Sequence, residues 1–163
     1  MAINISKQIS SMKNTIITAF MNDPNVVSVI DNPNIVDPQD LEYENIFPMW
    51  RVDTTELEKR TVLCIKVSAT ASKRSDVVQR FFVDVLIFTS QELQKVPRTS
   101  VARNCTRIDY LAQRVEDILN RSTEIGLGEA HLVTNDEDSI DSRHPARMMR
   151  FEVLGFSSNY VYP

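Results

Sequence analysis

Residues 77–88 read VVQRFFVDVLIF, and the alternation inside this run restricts the possible folds more than any other feature of the chain. Val77, Phe81, Val83, Val85 and Ile87 fall on one side of a period of two, while Arg80, Phe82, Asp84, Leu86 and Phe88 fall on the other. That repeat belongs to a β-strand, whose successive side chains point to opposite faces. Residues 61–70 alternate in the same way, with Leu63, Ile65 and Val67 opposite Cys64, Lys66 and Ser68. Joined by the short, polar, charged loop 71–76, the two strands are predicted to form an antiparallel hairpin.

Helical periodicity flanks the hairpin. Ile5, Ile9, Met12, Ile16 and Phe20 recur at intervals of three and four and define one apolar stripe over 5–21. Ile108, Leu111, Ala112, Val115, Ile118 and Leu119 do the same over 104–120, with Thr106 and Asp109 as a capping pair. Asp23-Pro24 reads as a cap followed by proline at the first helical position, which predicts a short helix at 26–30 ending before Pro33, with a short strand as the alternative. Residues 31–53, with Pro33, Pro38 and Pro48 and the acids Asp37, Asp40, Glu42 and Glu44, read as a long irregular arm. From it Phe47, Met49 and Trp50 are expected to tuck back onto the core. Unstructured connections of this length tend to be functional, which points to a partner.

Gly126 and Gly128 break the chain after the second main helix. Residues 129–133 begin a strand, 134–145 read as an exposed acidic loop, and 147–157 alternate as a closing strand. In the closing strand Met149, Phe151 and Val153 oppose Met148, Arg150, Glu152, Leu154 and Phe156. The element order predicts one α+β domain over 1–163. Its sheet is antiparallel or mixed, of about four strands, with two main amphipathic helices packed on one face.

A chain of 163 residues is long enough to bury a sizeable core without staples, and Cys64 and Cys105 lack the spacings of a disulfide framework or zinc site. A reducing compartment is expected. No stretch approaches the length of a membrane span, and the N-terminus interrupts its apolar residues with Lys7 and Lys13, so a soluble protein without a membrane partner is expected. A net charge of -4 with mixed signs argues against a general nucleic-acid binder. Three glycines, none in a phosphate-cradling cluster, argue against nucleotide cofactors.

The candidates for chemistry fall short one by one. Asp136-x-Asp138 superficially matches the start of a calcium loop, but Asp141 and Arg147 stand where glycine and glutamate are required. His131 and His144 are not at ligand spacing from any partner, and Cys105, near a helix start, has no neighbouring base in the sequence. The basic run Lys95, Arg98, Arg103 and Arg107 reads as a solvated loop entering a helix, with contact to an acidic partner or a phosphate backbone as the alternative. No catalytic, cofactor or metal residue is expected. The rival from another class is a small metal-assisted hydrolase or nuclease drawing on Asp84, Glu152 and the 134–145 loop.

A half-buried antiparallel sheet should have one apolar and one polar face. Here the second face mixes Phe82, Leu86, Phe88, Leu154 and Phe156 with Arg80, Asp84, Arg150 and Glu152. Each large apolar group left in water forfeits roughly 1.5–3 kcal/mol relative to burial. Something must cover this face, either the 31–53 arm within the monomer or another subunit, and these nine residues are the candidate subunit interface.

The N-terminal amphipathic helix, the hairpin ending in RFFVDVLIF (80–88), the helix RIDYLAQRVEDILN (107–120) and the strand MRFEVLGF (149–156) together resemble the tail-terminator, or tail-completion, proteins of tailed bacteriophages. Neck or head-closure proteins are near relatives in pattern. The resemblance implies a homo-oligomeric ring, expected to be a hexamer, on the end of the tail tube in the virion, assembled in the host cytoplasm. It implies contacts with the tube protein and with the head–tail connector or neck protein, DNA only as cargo passing through the lumen, and no active site. Lys73 and Arg74 in one loop, and Asp136, Glu137, Asp138 and Asp141 in the other, are then the expected contacts with axial neighbours.

Overall fold

A computed structural model of the chain describes residues 4–53, 55, 59–70, 78–96 and 105–156. The elements run α1 (Ile5–Asn22), α2 (Pro24–Ile30), β1 (Ile46–Phe47), β2 (Thr61–Ala69), β3 (Val78–Thr89), α3 (Arg107–Leu119), β4 (His131–Asp141) and β5 (His144–Phe156). Short 3-10 turns cover Pro38–Leu41 and Gln91–Leu93. The strands make one five-stranded sheet in the order β1-β2-β3-β5-β4. It is mixed, because β1 runs parallel to β2 while every other pairing is antiparallel.

The expected hairpin forms with Thr61 opposite Thr89 and Ala69 opposite Phe81. Its odd-numbered face does what the alternation requires. Leu63, Ile65, Phe81, Val83, Val85 and Ile87 are buried with Met149, Phe151 and Val153 of β5 under the apolar stripes of α1, α2 and α3. Asp23 ends α1 and caps α2, accepting from the Asn25 and Val26 amides at 2.8 and 3.0 Å. Thr106 caps α3 by accepting from the Asp109 amide at 3.1 Å. Gln8 of α1 clamps the end of β5, donating to the Phe156 carbonyl at 2.8 Å and accepting from its amide at 2.9 Å. That close approach requires Gly155, where an added Cβ would lie 2.4 Å from the Phe81 ring and 2.9 Å from Gln8 Oε1.

Three expectations need correction. The acidic segment 134–145 is a strand and a tight turn: β4 continues to Asp141 and pairs with β5 through a two-residue connection. Its residues are too polar for alternation to show: none of them is fully buried, and its outer edge is open. The sheet therefore has five strands, the fifth being the two-residue β1 inside the arm. The arm itself is ordered through Asn45, which is buried and donates to the Thr61 carbonyl while accepting from Asn32, at 2.8 and 2.7 Å. It buries Leu41, Ile46 and Phe47 but leaves Met49 and Trp50 half exposed, so only the first of the three predicted aromatic and thioether anchors is inserted. The loop 71–76, with Lys73 and Arg74, lies outside the described residues, as do Arg98 and Arg103. Among the described residues no helix is long and apolar enough to cross a membrane.

Candidate functional site

The even-numbered face of the sheet is divided by one ion pair. Asp84 of β3 stands opposite Arg150 of β5, whose Nε and Nη2 donate to the two carboxylate oxygens at 2.6 and 2.9 Å. The carboxylate is buried and the guanidinium is half exposed, lying 5.2 Å from the centroid of the Phe82 ring. Two parallel hydrogen bonds and a stacked ring hold Arg150 in one orientation, and the hydrogen bonds and charge of Asp84 push its pKa further up.

On one side of this pair the face is already covered. Leu86 and Phe88 are 2% and 0% exposed and form a second apolar cluster with Phe47, Val62, Cys64 and Ala146, flanked by Ile140 and Met148. The parallel pairing of Phe47 with Cys64 brings the end of the arm to this cluster. Arg51 then stacks 5.2 Å from the Phe47 ring, and Lys66 lies 5.9 Å from the Trp50 ring. Leu86 and Phe88 therefore belong to the monomer's interior, because the 47–51 segment and the β4–β5 hairpin supply the cover. The Cys64 thiol, desolvated here and donating to the Arg51 carbonyl at 3.3 Å, is pushed up to about 11 and stays protonated.

On the other side the face is open. Phe82 and Phe156 are half-buried, while Val78 and Leu154 are 46% and 39% exposed. Val78 stands opposite Phe156 and Arg80 opposite Leu154. Arg80 pairs with Glu152 at 3.5 Å. The structure thus brings together six of the nine predicted interface residues as one exposed strip: Arg80, Phe82, Arg150, Glu152, Leu154 and Phe156. It adds Val78, which the alternation of β3 had left unused on the Arg80 side. The two carboxylates that a metal-assisted site would draw on, Asp84 and Glu152, each face an arginine.

The predicted axial acids divide similarly. Asp136, Glu137 and Asp138 are exposed along β4, with Glu137 3.3 Å from Arg147. Asp141 is instead half exposed and binds the buried His144. Cys105 has a raised pKa, through burial and the nearby Asp109 charge, so no activated thiol sits at the start of α3. Arg107 is buried rather than solvated, and its guanidinium donates to the Ile30 and Lys95 carbonyls and to Thr61 Oγ1.

Compared with known families, residues 9–153 match the family model described as YomW. No curated protein matches the chain.

Proposed function

This chain belongs to the YomW family, a phage-derived family, and on that premise we propose that it is a structural virion protein forming a ring, a homohexamer, on the end of a phage tail tube. In this reading the ring stops further polymerisation of the tube protein and presents a surface to the head–tail connector or neck protein. DNA passes through its lumen, and the chain performs no chemistry.

The observation that carries the reading is the open half of the second sheet face. Val78, Phe82, Leu154 and Phe156 form an apolar strip edged by the Arg80–Glu152 and Asp84–Arg150 pairs. Apolar groups interleaved with arginine have the composition of contact surfaces. In a closed ring each subunit is held on two sides, so contacts of modest strength become persistent.

The mass of the purified protein, by light scattering, alone and with its tube protein, tests the proposal. A hexamer, formed by itself or on the tube, is expected. A species that stays monomeric at high concentration and neither binds nor caps tubes would overturn it, and binding to the connector without tube binding would assign the chain to the neck instead.

A further inference from the structure

Where β3 ends, the chain turns through Ser90 into the Gln91–Leu93 turn, and the Gln91 amide donates to the Arg143 carbonyl at 2.8 Å. This bond holds the end of β3 against the β4–β5 turn and encloses a pocket of about 120 Å³ lined by Lys59, Ser90, Gln91, Glu92, Arg143 and His144. Two of its walls are anomalous. Ser90 is 6% and His144 1% exposed, yet among the described residues neither Ser90 Oγ nor His144 Nε2 has a hydrogen-bond partner. Unpartnered buried polar atoms are rare in folded proteins, because each costs its full desolvation.

The other histidine nitrogen is fixed. Nδ1 lies 2.8 Å from Asp141 Oδ1, and that carboxyl is held below the ordinary range first by this hydrogen bond and then by the Arg143 amide. An ionised carboxylate only accepts, so Nδ1 carries its proton and Nε2 is the atom left for the pocket. When the ring is protonated, Nε2–H and the Ser90 hydroxyl are both buried donors without an acceptor. Among the described residues the lining also holds the cations Lys59 and Arg143 and the carboxylate of Glu92. Lys59 also lines a neighbouring pocket of about 640 Å³ with Arg60 and the buried Arg107, against Asp31.

We infer that the Ser90–His144 pocket binds a small oxyanion, of phosphate or carboxylate size, which accepts hydrogen bonds from Ser90 Oγ and His144 Nε2 between Lys59 and Arg143. The volume corresponds to roughly four waters' share of liquid, enough for either ion. A divalent cation fits worse, since two cationic side chains would face it. Nε2 donates to the anion only when the ring carries both protons.

The chain has two histidines, and His131 is exposed, which provides an internal control. Imidazole NMR resonances are followed while inorganic phosphate or acetate is added to the full chain at constant ionic strength. The expected result is a saturable shift of His144 but not His131, with affinity weakened about five-fold by Ser90→Ala and reduced by Lys59→Gln, an exposed substitution that leaves the fold intact. Response to phosphate alone assigns a phosphate group, and response to acetate assigns a carboxylate. No saturable shift of His144 with either anion, equal shifts of both histidines, or unchanged affinity in both variants would overturn the inference and leave water as the occupant.

Discussion

Leu86 and Leu154 share one face of one sheet, yet they differ in everything that decides what a substitution does. Leu86 is packed between Phe88, Cys64 and Met148 across from the arm, whereas Leu154 lies on the open strip beside Arg80. A carboxylate at Leu86 would be desolvated without a partner, a cost that consumes much of the about 5–15 kcal/mol that stabilises a typical domain. Leu86→Asp is therefore expected to abolish the cooperative unfolding transition in urea. Leu154→Asp should stay within about 1 kcal/mol of the parent and lose only assembly. Equal stability of the two variants would show that the face is not divided as described. Alternation assigns both leucines to one side and goes no further, because the covering residue, Phe47, comes from a distant part of the chain.

At the scale of elements, Asp23 joins three helices. Its backbone ends α1, its carboxylate caps α2, and the same carboxylate accepts from Arg114 of α3. Burial pushes the Asp23 pKa up, but the hydrogen bond and charge of Arg114, with the Val26 and Asn25 amides, outweigh it and hold the group below its usual value of 3.8. A carboxyl depressed in the folded state stabilises fully above its unfolded pKa, and that contribution is lost as pH falls through the folded value. Asparagine keeps the cap and removes the ion pair. Asp23→Asn is thus expected to lose roughly 1–2 kcal/mol in urea titrations at pH 7, with the gap to the parent closing as pH falls through the folded-state pKa of Asp23, below 3.8. A gap independent of pH would mean that the carboxylate's charge contributes nothing. Asp23-Pro24 announced the cap of α2 from the sequence alone, since capping is local. Its bond to Arg114 spans 91 positions and has no local signature.

For the molecule as a whole, the sheet is unequal from centre to edge. β3 is paired on both sides from Phe81 to Phe88, by β2 and β5, while β4 offers its outer edge to solvent behind Asp136, Glu137 and Asp138. Charged side chains on an open edge discourage indiscriminate strand pairing. Amide hydrogen exchange in the monomer should be slowest in β3 and fast at the outward-facing amides of β4. Uniform protection across both strands would contradict this topology. The sequence by itself determined the elements whose signal is local and apolar: the α1 and α3 stripes, the β2–β3 hairpin, the β5 alternation and their α+β assembly. Period two and period 3.6 each need one face in a core, and the residues that carry them lie within a few positions of one another. Only the tertiary structure decided that β4 continues beyond residue 133 to Asp141, because a polar edge strand is formed by its partner's hydrogen bonds and leaves no alternation to read. Only the tertiary structure, too, divided the second face into a covered and an open half, and brought Ser90 to His144, since burial there depends on contacts between segments far apart in the chain.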